Sequence, residues 1–152
     1  MTLVPRLLAE LEKKGFRIWI EGGASNDQLS ALERALGVPM PPSYAEFLRR
    51  FGAIGIGDSS VSGIVDGNAL AEEGSSVYGD TLQFRAYQEF PHGFLVIRKH
   101  EDGAFCLDST RPTAEGEYPV VNFEFGSSQH EKPVASSFED WLIRFQLNGP
   151  DD

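Results

Sequence analysis

Apolar residues recur at intervals of three and four along five stretches of the chain. In the first, Leu3, Leu7, Leu8 and Leu11 lie on one face before Gly15. This spacing is typical of an amphipathic helix with one face towards a core. It predicts helices over residues 3–14, 25–36, 42–51, 76–87 and 136–147.

The ends of two of these helices carry recognisable stop and start signals. Ser25 with Gln28, and Ser136 with Glu139, have the three-residue spacing of a capping box. Gly37 follows the second predicted helix and fits a left-handed C-terminal cap. The last helix is predicted to stop at Asn148-Gly149-Pro150.

Shorter apolar segments bounded by turn residues predict strands. They cover residues 16–20, 61–65, 94–98, 104–108 and 118–125. Residues 69–74 are predicted to be a loop or a short helical turn, and residues 126–132 a loop. Asp102-Gly103 is a strong hairpin signal between the third and fourth strands. Helices come first, strands dominate the second half, and a helix closes the chain. This order predicts one α+β domain over residues 1–152, with a mostly antiparallel sheet flanked by helices.

Charge is distributed unevenly over the 152 residues. The net charge is −10, and residues 51–152 alone carry a net charge of −11. Such a surface repels nucleic acid and anionic membranes and attracts a basic partner. The alternative is that the acidity only keeps the protein in solution.

Residues that could support catalysis do not form a pattern. The three histidines have no metal-ligand spacing, and Asp58 with Asp66 is one of many pairings among 23 acidic residues. Cys106 stands in an apolar run and is expected to be a small core residue. We therefore predict a protein that is not an enzyme and that holds no metal or cofactor. No signal peptide or membrane-spanning stretch is apparent, so a cytoplasmic protein is expected.

Residues 25–51 carry a more specific pattern. A helix has Glu33 before its last turn and ends in Leu-Gly, Met40-Pro41 follows, and a helix beginning near Tyr44 contains Phe47-Leu48. This pattern resembles the signature of the SUKH superfamily, which includes bacterial immunity proteins and fungal regulators of cell-wall synthesis. Later segments, among them residues 62–64, 81–85, 94–108 and 134–142, are similar to family segments in the same order.

The resemblance implies an immunity protein that blocks a cognate toxin, commonly an enzyme that acts on nucleic acid. Such toxins tend to be basic, so a chain of charge −10 would be steered towards one. The alternative is a regulatory interaction module without a toxin partner, like the fungal members.

The predicted partner-binding residues are acidic and lie outside the predicted core. Residues 56–84 contain five acidic residues and no lysine or arginine. Loop residues of this kind can vary without disturbing the fold. The first choice is Asp58, Asp66, Glu72, Glu73 and Asp80, and the second choice is Glu101 and Asp102 on the hairpin.

Overall fold

The computed structural model describes residues 1–147, which form an α+β fold with two three-stranded antiparallel sheets. The helices are α1 (Val4–Lys13), α2 (Asn26–Leu36), α3 (Pro42–Arg50), α4 (Val77–Arg85) and α5 (Phe138–Trp141). The strands are β1 (Ile18–Ile20), β2 (Ile54–Ile56), β3 (Ser59–Val61), β4 (Phe94–His100), β5 (Gly103–Asp108) and β6 (Val120–Glu124). A π-helix, Leu142–Leu147, continues α5.

The first sheet has the order β1-β2-β3. Ile54 of β2 pairs with Ile20 on one side and with Val61 on the other. The prediction of a strand over residues 61–65 is therefore wrong in position, because pairing within this sheet ends at Val61. The β2–β3 hairpin turns at Gly57-Asp58, so β3 starts at Ser59, two residues before the predicted strand.

The second sheet has the order β4-β5-β6 and contains the predicted hairpin at Asp102-Gly103. A register shift leaves Ile97 of β4 without a partner on β5. Its carbonyl instead accepts a hydrogen bond of 2.8 Å from the amide of Ser62, just after β3. The bulge thus joins the two sheets. The sequence predicted one sheet in the second half of the chain and missed the smaller sheet that reaches back to β1.

Most helix ends agree with the sequence signals. The Ser25 hydroxyl accepts a hydrogen bond from the Gln28 amide, and Gly37 has φ of 80° in the left-handed region. The last helix differs by one residue, because its cap is Ser137, which accepts from the Asp140 amide, and not Ser136. The predicted stop at residues 148–150 lies outside the described residues.

The second sheet separates two apolar clusters. The larger cluster lies among the first sheet, the helices α1, α2, α3 and α5, and one face of the second sheet. The smaller cluster lies beneath α4 and consists of Phe84, Phe90, Phe94, Val96, Ala104, Cys106, Val121 and Phe123. Because both faces of the second sheet are covered, β4 and β5 are apolar along most of their length rather than alternating.

Candidate functional site

The side chains that could support catalysis or bind a metal lie in surroundings that do not favour either role. Cys106 is fully buried, and this burial, with the charge of Asp108 as a smaller cause, raises the pKa of its thiol well above the ordinary value. The thiolate needed for nucleophilic chemistry is therefore disfavoured. Within residues 1–147, no three His, Cys, Asp or Glu side chains are close enough together to hold a metal ion. None of the helices in this range is long and apolar enough to cross a membrane.

The segment with the specific sequence pattern is a rigid part of the scaffold. The Glu33 carboxylate accepts a hydrogen bond of 2.7 Å from the amide of Met40 and so closes the turn between α2 and α3. The buried Tyr44 hydroxyl donates to the carbonyl of Ser62 at 2.7 Å. Burial, followed by the charge of Asp80, raises the pKa of Tyr44 and keeps this donor protonated. The pattern therefore identifies contacts that hold the fold together.

A cleft of about 600 Å³ runs along α4, and it brings three of the predicted binding residues together. This α4 cleft is lined by Glu72, Glu73, Gly74, Gly79, Asp80, Leu82, Gln83 and Lys99. Glu72 and Glu73 are exposed on the loop before α4, in the setting that the sequence predicted. Their carboxylates are available to a partner.

Asp80 is different, because it lies on the predicted helix and not in a loop, and its predicted exposure is wrong. It lies in the first turn of α4 and is only 5% exposed. Its carboxylate accepts a hydrogen bond of 2.5 Å from the Ser62 hydroxyl and is 3.2 Å from the Lys99 ammonium. These contacts neutralise its charge and tie α4 to both sheets. Asp80 therefore contributes little to the field outside the protein.

The second-choice residues line another depression, at the β4–β5 turn. Glu101 and Asp102 are exposed there, and the depression has a volume of about 360 Å³. The remaining lining residues are Glu124, Phe125 and Ser127. Three of the five lining residues thus carry carboxylates. Glu101 is two residues from Lys99, so this depression and the α4 cleft lie at the same end of β4.

Asp58 and Asp66 are exposed but belong to neither depression. Asp58 is at the tip of the β2–β3 hairpin. Asp66 has φ of 57°, and its amide donates to the Glu21 carboxylate at 3.0 Å. The first-choice set is therefore divided among separate places on the surface.

Two exposed aromatic residues that the sequence did not single out lie near the second depression. Tyr87 follows α4, and Phe125 follows β6. Both side chains are exposed, with fractions of 53% and 40%. The alternation of Phe123 and Phe125 on one face of β6 was a sign that the apolar row continues beyond the buried cluster.

Comparison with known proteins gives a family match over most of the chain. The family model SUKH_5, described as SMI1-KNR4 cell-wall, matches residues 5–145. A curated protein of Bacillus subtilis strain 168, the uncharacterized protein YnaB, is 27% identical over 131 residues. That alignment covers 83% of this chain and 79% of YnaB.

A solved structure supports the same architecture. The crystal structure of a protein from Pseudomonas syringae pv. tomato matches with a TM-score of 0.58, covering 94% of this chain and 98% of the other. Because only 13% of the aligned residues are identical, this match bears on the fold alone.

Proposed function

Because the chain belongs to the SUKH family, with a match over residues 5–145, we propose that it is an immunity protein that neutralises a basic toxin by binding it. The toxin class favoured by the charge is an enzyme that acts on nucleic acid, since such an enzyme presents a cationic surface to its polyanionic substrate. An acidic protein can occupy that surface and exclude the substrate.

The observation that carries the proposal is the placement of exposed carboxylates. Glu72 and Glu73 border the α4 cleft, and Glu101 and Asp102 border the depression at the β4–β5 turn. These four side chains are exposed and leave their carboxylate oxygens free to accept hydrogen bonds from arginine. Complementary charge of this kind accelerates the encounter with a basic partner and discriminates against acidic ones.

Co-expression with the product of the neighbouring reading frame on the genome tests the proposal. We expect that product alone to arrest growth, the arrest to be relieved when this chain is present, and the two proteins to co-purify. Purified chain should also inhibit cleavage of nucleic acid by that product. A neighbouring product that arrests growth equally with and without this chain contradicts the proposal.

A second candidate function is a regulatory interaction module without a toxin partner. The description of the matched family model, which names SMI1-KNR4 and the cell wall, favours this candidate. The same experiment separates the two functions. A regulatory module would bind a neighbouring product that does not arrest growth when it is expressed alone.

A further inference from the structure

We propose that Tyr87 and Phe125, here called the aromatic pair, are the apolar anchor of the partner-binding surface and that they receive an arginine-bearing segment of the partner. This inference rests on the proposed function and gives its surface a location and a chemistry. The two rings are in contact, with centroids 4.9 Å apart and an edge-to-face angle of 62°. Aromatic side chains are enriched in the cores of protein interfaces, and tyrosine is one of the residue types enriched at their energetic hot spots.

The aromatic pair is held in place before any partner arrives. Phe125 stacks on the buried ring of Phe84, with centroids 5.6 Å apart. The Glu89 carboxylate accepts a hydrogen bond of 3.1 Å from the amide of Gly126, which ties the turn that carries Tyr87 to the end of β6. Rings fixed in this way lose little conformational entropy on binding.

Carboxylates lie beside Phe125, on the side of the aromatic pair that faces the β4–β5 turn. The acidic rim consists of Glu101, Asp102 and Glu124, which line the same depression as Phe125. Among the described residues that line this depression, none is lysine or arginine. An apolar centre with an acidic border fits a partner that presents cations next to apolar groups.

Arginine satisfies both parts of this surface better than lysine does. Its planar guanidinium stacks on an aromatic face while its N–H groups pair with a carboxylate in a two-pronged geometry. Lysine presents a compact, strongly hydrated charge and forms neither contact as well. The surface therefore selects arginine and not positive charge in general.

The experiment uses peptides, so that it does not depend on any toxin. Two peptides of about twelve residues, in which leucine alternates with arginine or with lysine, are titrated into the ¹⁵N-labelled full chain. We expect the arginine peptide to bind several-fold more tightly and to shift the amide resonances of residues 87, 101–102 and 124–127. Equal affinity for the two peptides, or shifts confined to other surfaces, would overturn the inference.

Substitutions then locate the anchor. Tyr87→Ser with Phe125→Ser should weaken binding of the arginine peptide by about tenfold or more. The matched control is Trp19→Ser, which removes another exposed aromatic, 44% accessible on β1, and should leave the affinity unchanged. If Phe125→Ser unfolds the protein because it uncovers Phe84, then Tyr87→Ser alone decides, since more than half of that ring is exposed. If the Tyr87→Ser variant binds the arginine peptide as tightly as the Trp19→Ser control does, the anchor is rejected.

The same variants separate this inference from the proposed function. If the neighbouring product is neutralised equally by wild type and by Tyr87→Ser, the function stands and the anchor is rejected. If the arginine peptide binds at the aromatic pair while the neighbouring product is neither bound nor harmful, the surface stands and the immunity function is rejected.

Discussion

At the scale of single residues, Phe47 is the centre of the larger apolar cluster. Its side chain has no exposed surface. Its ring lies 4.9 Å from that of Phe138 and 5.9 Å from that of Tyr44, centroid to centroid. Because the neighbours of a closely packed side chain relax only partly when it is truncated, the truncation leaves a cavity.

Phe47→Ala should therefore lower the free energy of unfolding by about 3–5 kcal/mol, the usual effect for a buried aromatic. Urea denaturation of wild type and variant measures this difference. Leu70→Ala is the control, because the Leu70 side chain is exposed and its loss should cost about 0.5 kcal/mol or less. A loss below about 1 kcal/mol for Phe47→Ala would mean that the cluster repacks around the missing ring.

Asp80 illustrates what a sequence cannot show about a single charge. Like Glu72 and Glu73, Asp80 is an acidic residue in a stretch without lysine or arginine. All three residues line one cleft. What distinguishes Asp80 is its contacts with Ser62 and Lys99, which the chain brings together from separate elements. The sequence around Asp80 contains no information on contacts with distant residues. The burial of its carboxylate is therefore visible only in the three-dimensional structure.

Asp80→Ala should consequently destabilise the protein, whereas the neighbouring carboxylates should be neutral. We expect a loss of about 1.5–3 kcal/mol for Asp80→Ala, the range for a hydrogen bond to a charged group. Glu72→Ala and Glu73→Ala should each stay within about 0.5 kcal/mol. Thermal and urea unfolding of the three variants provide the comparison. Equal stability of all three would place Asp80 among the solvated charges after all.

At the scale of elements, the sequence predicted best where the signal is local. The capped start of α2 and the turn at Asp102-Gly103 depend on residues that are close in the chain, and both are present. The strand placed over residues 61–65 failed, because its pairing depends on β2 and on the carbonyl of Ile97. The contact between Tyr87 and Phe125 joins two elements that are distant in the chain, so local pattern did not indicate the aromatic pair.

The end of β5 offers a test through pH. The Asp108 carboxylate accepts hydrogen bonds from the amide and hydroxyl of Thr110 at 2.9 and 2.6 Å, and from Arg111 Nε at 2.8 Å. Burial alone would raise the pKa of Asp108, but these hydrogen bonds and the Arg111 charge outweigh it and the pKa is lowered. The ionised form is thus favoured in the folded state, and its stabilisation is complete above the pKa of an unfolded aspartate, about 3.9.

Asp108→Asn should be less stable than wild type at neutral pH. The difference between the two should shrink as the pH falls below about 4 and passes through the lowered pKa of the folded state. Urea denaturation at a series of pH values from about 7 to about 2.5 measures it. Other carboxylates titrate in both proteins and largely cancel in the difference. A difference that stays constant over the whole range would show that ionisation of Asp108 contributes nothing.

At the scale of the whole molecule, charge sets the rate of meeting a partner. The net charge of −10 is concentrated after residue 50. Exposed charges act over about a Debye length, roughly 10 Å at 0.1 M salt, and are screened beyond it. Association with a basic toxin should therefore be fast at low salt and should slow as salt is added.

Changing Glu72, Glu73, Glu101 and Asp102 together to Ser should slow this association sharply at low salt and much less at high salt. Stopped-flow binding to the neighbouring product at two ionic strengths measures the effect. The matched control changes Glu10, Glu12, Asp27 and Glu115 to Ser, which removes the same number of exposed charges elsewhere. If both variants associate equally slowly, then net charge and not its placement controls the rate. Unchanged association of the first variant would place the interface away from the α4 cleft and the β4–β5 turn.

The bulge at Ile97 has a consequence for how the molecule opens. Its carbonyl accepts the Ser62 amide, and the Thr81 hydroxyl accepts the Val96 amide, so the outer edge of β4 is bonded to a loop and to α4. The first sheet cannot separate from β4 without breaking the hydrogen bond between Ser62 and Ile97, and α4 cannot separate from β4 without breaking the one between Val96 and Thr81. The amides of Ser62 and Val96 should accordingly exchange with deuterium only when the whole molecule unfolds, and the two sheets form one cooperative unit.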